Sequence, residues 1–154
     1  MDKQLYASLL AGETAWINLS ARAKWRLSGA DRVRYLNGQV TNDVRTASLQ
    51  NALHACVTNV KGRVEGDVFI HVSEDGQSLL LDAEAGLRDA LGIRLERYII
   101  ADDAVLEDLT EEQQLWHCLG TAVPQITIGQ AVANSARFNL PGTDVWLSAD
   151  APSP

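Results

Sequence analysis

The chain has 154 residues, which suits one domain burying about 70% of the surface that its unfolded form exposes. With 46% hydrophobic residues, it can build a core without disulfides or metal, and Cys56 and Cys118 alone make no disulfide framework. Thirteen basic against twenty acidic residues give a net charge of −7, and the basic residues are scattered, which excludes a nucleic-acid partner held by charge.

Residues 2–11 place Leu5 and Leu9, and Tyr6 and Leu10, at helical spacing. No basic segment followed by an apolar one opens the chain, and no apolar run is long enough for a span. The expectation is a cytoplasmic protein with no membrane partner. Residues 15–20 and 24–28 alternate apolar and polar and predict two short strands. Asp31 can accept hydrogen bonds from the free amides of a helix running to Asn37. Gly38 can end that helix in the left-handed conformation.

Residues 51–60 and 63–73 predict a strand pair turning at Lys61-Gly62. On the second strand Val64, Gly66, Val68, Ile70 and Val72 share one face. Arg63, Glu65, Asp67, Phe69 and His71 share the other. A carboxylate at Asp67 could raise the pKa of His71 or accept a hydrogen bond from a ligand; alternatively the polar face is plain surface. Glu74-Asp-Gly-Gln77 is a turn signal leading to a third strand at 78–82. Leu87, Leu91, Leu95 and Tyr98 predict a helix over 84–98, followed by a strand at 105–109. Short strands are expected at 115–119, 126–128, 137–140 and 144–148, with 149–154 a disordered tail after a single domain spanning 1–148.

Antiparallel strands, long connections and two packing helices give an α+β fold, read as one antiparallel or mixed sheet covered on one side. Its order is close to β-β-α-β-β-β-α-β. Trp16, Trp25, Trp116 and Trp146 fall on predicted strands, where core packing explains them. His54 and Cys56 with His117 and Cys118 offer four zinc-ligand types. Adjacent residues on a strand point to opposite faces, however, and no Cys-x-x-Cys turn is present, so no metal is assigned.

The run Arg34-Tyr-Leu-Asn-Gly-Gln-Val-Thr-Asn-Asp-Val44, then Asn59-Val-Lys-Gly-Arg-Val64 and Asp67, resembles the amino-terminal half of the folate-binding T-protein-like family. That family comprises the glycine-cleavage aminomethyltransferases and their iron–sulfur-linked, tRNA-modifying relatives. Leu140-Pro-Gly-Thr-Asp-Val-Trp146 is similar to the family's lead into a later strand, and the overall style is nearest the iron–sulfur-linked branch. The resemblance implies a folate-binding-domain-like fold and tetrahydrofolate or a derivative as ligand. It also implies a role in iron–sulfur protein maintenance or tRNA modification. By the same resemblance, Gln39, Thr41, Asn42, His54, Lys61 and Asp67 would contact the folate. Asp67 would be the group nearest catalysis.

T-proteins carry two consecutive acidic residues where this chain has Gly66-Asp67, which counts against methylene transfer by the chain alone. The family's later signature motif, Lys-Gly-Cys-(Phe/Tyr)-x-Gly-Gln-Glu, is absent. A half-built cavity with open sheet edges could be completed by a two-fold homodimer. Two other readings stand beside the folate module. One is a non-enzymatic interaction or scaffold domain that has lost the pocket; the other is an aminomethyltransferase needing a second half.

Overall fold

The computed structural model describes residues 13–120 and 131–154, together with Lys3, Ala7 and Ala11. Of the helix expected over 2–11, Lys3 and Ala7 are helical and the rest lies outside the described residues apart from Ala11, as does the strand expected at 126–128. Among the described residues, nine strands form two antiparallel sheets, correcting the single sheet expected from the pattern. The first sheet runs β3 (Leu53–Thr58), β4 (Val64–Val72), β5 (Leu79–Ala83), β2 (Ala23–Ser28), β6 (Val105–Asp108). The second runs β1 (Ala15–Asn18), β7 (Gln113–Leu119), β9 (Gly142–Ser148), β8 (Ala131–Asn134).

Two helices cover one face of the first sheet. Helix α1 (Arg32–Asn37) buries Tyr35 and Leu36, and α2 (Arg88–Arg97) buries Leu91 and Leu95. They pack on Trp25, Leu27, Val57, Val68, Ile70, Leu79 and Leu81, the inward positions of the alternating strands. The Tyr35 hydroxyl donates to the Leu95 carbonyl, tying the helices together, and burial pushes its pKa up to about 12. The other face of the first sheet meets the second sheet through a smaller cluster of Leu80, Leu109, Leu115, Ala131 and Trp146. The order of layers is therefore helices, sheet, sheet.

Val64, beyond a register shift, is exposed, but from Gly66 inward the alternation on β4 is as read, with Gly66, Val68, Ile70 and Val72 on the helix side. Gly66 is buried there because an added Cβ would sit 2.8 Å from Leu91 Cδ1 and 2.9 Å from Leu87 Cδ1. The turns at Gly62 (φ +73°) and Gly76 (φ +70°) use the left-handed backbone that glycine adopts freely.

Several local readings change. Asp31 does not cap α1; its carboxylate accepts from the Asp103 amide at 2.8 Å and pairs with Arg34, pinning the loop before β6. Gly38 is right-handed (φ −80°). The helix expected from residue 84 starts at Arg88, after a short 3-10 turn at Ala85–Leu87. Residues 137–140 form no strand: Arg137–Asn139 is a tight turn, and the hairpin partner of β9 is β8. Burial of Arg137 as a cation between the sheets forces this change. Among the described residues, no helix is long and apolar enough to cross a membrane.

Candidate functional site

The polar face of β4 runs from surface to interior, and each side chain finds a different partner. Glu65, at the outer end, lies 3.0 Å from Arg94 Nε. Next, His54 Nε2 lies 3.2 Å from Asp67 Oδ2, with both side chains about half exposed. Phe69 then meets His54 on one strand neighbour, ring centres 4.7 Å apart, and carries the Arg137 guanidinium 3.9 Å from its own centre. His71, at the inner end, is fully buried. The expected grouping of Glu65, Asp67 and His71 therefore separates, because the second sheet covers the inner end of the strand and only the outer end stays wet.

His71 belongs instead to a buried ionic network between the sheets. Its Nε2 donates to Asp144 Oδ2 at 2.9 Å, and His117 Nδ1 donates to Asp144 Oδ1 at 2.7 Å. A carboxylate only accepts, so each of these two ring nitrogens carries the proton of its bond. Arg137 Nε donates to both oxygens of Asp144 at 2.9 Å. Its two terminal nitrogens reach the Asp82 carboxylate, which also accepts from Arg22 Nε. Arg22 in turn reaches the exposed Glu84 at 3.1 Å.

Burial opposes ionisation of Asp144, but hydrogen bonds from His117 and His71 and the charge of Arg137 overcome it, holding the carboxyl far below its usual range. Burial likewise opposes the Arg137 cation, and Asp82 and Asp144 outweigh it. Gly142 makes room for the network: an added Cβ would lie 2.5 Å from His117 Nε2.

Where the sheets part beyond this network, a cleft of about 940 Å³ opens on the polar face of β4. Asn42, His54, Asp67 and Phe69 line it together with Arg22, Glu84 and residues 136–139 of the β8–β9 connection. The helices lie on the opposite face of the sheet, so the concavity is open. The volume falls in the range of small-molecule sites, about 300–1,000 Å³.

Of the six residues expected to bind, the structure brings together Asn42, His54 and Asp67. Asn42 also holds β3, its amide donating to the His54 carbonyl at 3.0 Å. The other three are absent from the cleft lining. Gln39 accepts from Arg94 at 2.9 Å, and the Thr41 hydroxyl accepts from the Cys56 amide at 3.0 Å. Lys61 sits at the exposed hairpin tip. Packing of the helix exit against its neighbours thus consumes both Gln39, by the α2 side chain Arg94, and Thr41, by the β3 backbone.

Arg22, Asp82, Arg137, Phe138 and Asp144 were missed. One signal was present: Asp82 and Asp144 sit in otherwise apolar strands, and Arg137 is the sole Lys or Arg after Arg97. Buried carboxylates need a cation, and beyond α2 only Arg137 supplies one.

Solved structures with the same arrangement decide the fold. The glycine cleavage system aminomethyltransferase T from Bartonella henselae superposes with a TM-score of 0.68 at 12% identity, over 92% of this chain and 44% of its own. This is a partial T-protein-like fold. A chain of the heterotetrameric sarcosine oxidase from Corynebacterium sp. U-96 superposes with a TM-score of 0.52 at 14% identity, over 95% of this chain and 84% of its own.

Sequence relatives point the same way. An iron–sulfur cluster assembly factor IBA57 homolog, mitochondrial, from Neurospora crassa is 26% identical over 126 residues, covering 75% of this chain. Its counterpart from Mycosarcoma maydis is 30% identical over 115 residues, covering 66%. The tRNA-modifying protein YgfZ of Colwellia psychrerythraea is 35% identical over 90 residues, covering 58%. The T-protein-like chain spans less than a third of these relatives' lengths, 28–29%. No protein-family model matches it.

Proposed function

We propose that this chain is a folate-binding module that serves iron–sulfur protein maintenance or tRNA modification. The observation that carries the proposal is the cleft on the polar face of β4, with the Asp67–His54 pair on its wall and Asn42 and Phe69 beside it. A reduced pterin presents ring N–H donors along one edge and an apolar ring face. A half-exposed carboxylate accepts from the first, and the aromatic side chains meet the second. The likeness to an iron–sulfur cluster assembly factor and a tRNA-modifying protein supports the cellular role.

The proposal includes no methylene transfer by this chain alone. At residue 66 a side chain would point into Leu87 and Leu91, so a second carboxylate has no place beside Asp67. Titration calorimetry with tetrahydrofolate tests the reading. Saturable binding is expected, and no heat at millimolar ligand removes it.

A further inference from the structure

The hairpin between β8 and β9 contains the two non-glycine residues with left-handed backbone among those described, Phe138 (φ 59°) and Asn139 (φ 58°). Asparagine visits that region readily; phenylalanine does so at a steric cost. The conformation is imposed from both sides. Arg137 is held by the buried carboxylates of Asp82 and Asp144. The hairpin is also closed by the Ser135 amide donating to the Gly142 carbonyl at 2.9 Å.

Strain of this kind persists where the surroundings over-determine it, and it concentrates at ligand sites. Its product here is a residue 60% exposed to solvent whose aromatic side chain lines the same cleft as His54 and Phe69. An exposed ring at a strained position contributes little to the core. Its one aromatic neighbour is His117, met edge-on at 5.8 Å.

We infer that Phe138 is the stacking wall of the cleft, taking the face of a flat fused heteroaromatic ring and setting selectivity for ligands that carry one. This rests on the folate proposal and assigns the pterin end of the ligand to Phe138. Arg137 is the positioning residue behind it. Its guanidinium is buried and committed to two carboxylates and the Phe69 ring, which fixes where the adjoining Phe138 ring projects.

The test compares tetrahydrofolate with p-aminobenzoylglutamate, which lacks the pterin, on wild type, Phe138→Asn and Phe138→Tyr. The asparagine variant should bind tetrahydrofolate about tenfold more weakly, the expected loss of one stacked ring. Its affinity for p-aminobenzoylglutamate should be unchanged, and its Tm should be equal to or above wild type because the strain is relieved. The tyrosine variant should bind as wild type does. Wild-type binding with an unaffected asparagine variant overturns the stacking role and leaves the folate reading intact. A Tm drop beyond about 3 °C with unchanged affinity makes Phe138 a packing residue. Wild type that binds no folate overturns both.

Discussion

Replacing Arg137 by leucine should destabilise the protein more than any single surface change. The side chain is 4% exposed and is the shared cation of two carboxylates that are themselves fully buried. Removing one partner of a buried ion pair costs about 3–5 kcal/mol, because the remaining charge is left in a poor solvent. Asp82 keeps Arg22, and Asp144 keeps His71 and His117, so the loss should stay within that range. With an unfolding entropy of about 2.1 cal/mol/K per residue over 154 residues, the shift in Tm is about 9–15 °C. Urea unfolding followed by tryptophan fluorescence suits the measurement, since Trp146 lies 5.4 Å from His71 and reports directly on the network. The double variant Arg137→Leu, Asp144→Leu should lose less than the sum of the two single variants, because the second change removes the stranded charge. A loss below about 1 kcal/mol for Arg137→Leu, or strictly additive losses, would refute the idea that this network joins the sheets.

Acid should act through the same residue. The folded-state pKa of Asp144 is depressed from its ordinary 3.8, so its stabilisation is fully present above about pH 4. It declines as pH falls further, and the steepness contributed by Asp144 should vanish in Asp144→Asn when urea midpoints are compared across pH 2–5. Gly66→Asp would push a carboxylate into Leu87 and Leu91; a loss of at least about 3 kcal/mol is expected in thermal melts, with no gain of aminomethyl transfer. Asp67→Asn replaces a half-exposed carboxylate beside His54, so stability should stay within about 0.5 kcal/mol while tetrahydrofolate binding weakens about tenfold in calorimetry.

The first sheet was legible because its strands alternate cleanly and its turns carry glycine at Gly62 and Gly76, local signals that need no knowledge of the rest of the chain. The second sheet was not. Trp16-Ile17 and Leu115-Trp116 read as strands, but their pairing is with each other and with β9, contacts about a hundred residues apart for β1 and β7. Nothing in a short window distinguishes one sheet from two. The same distance hid part of the site: Asn42, His54 and Asp67 were expected from the family resemblance, whereas Phe138 and Arg137 reach the cleft through tertiary contacts alone. His71 was misjudged because period-two alternation assigns a face without saying what covers it.

The space beside Gly142 is closed twice over. Any side chain there would meet the His117 imidazole at 2.5 Å and also the Cys118 carbonyl at 2.7 Å. A smaller residue at 117 would strip Asp144 of a donor and still leave the carbonyl in the way. Glycine at 142 is therefore enforced by main chain as much as by side chain, and only a displacement of β7 against β9 would let another residue take its place.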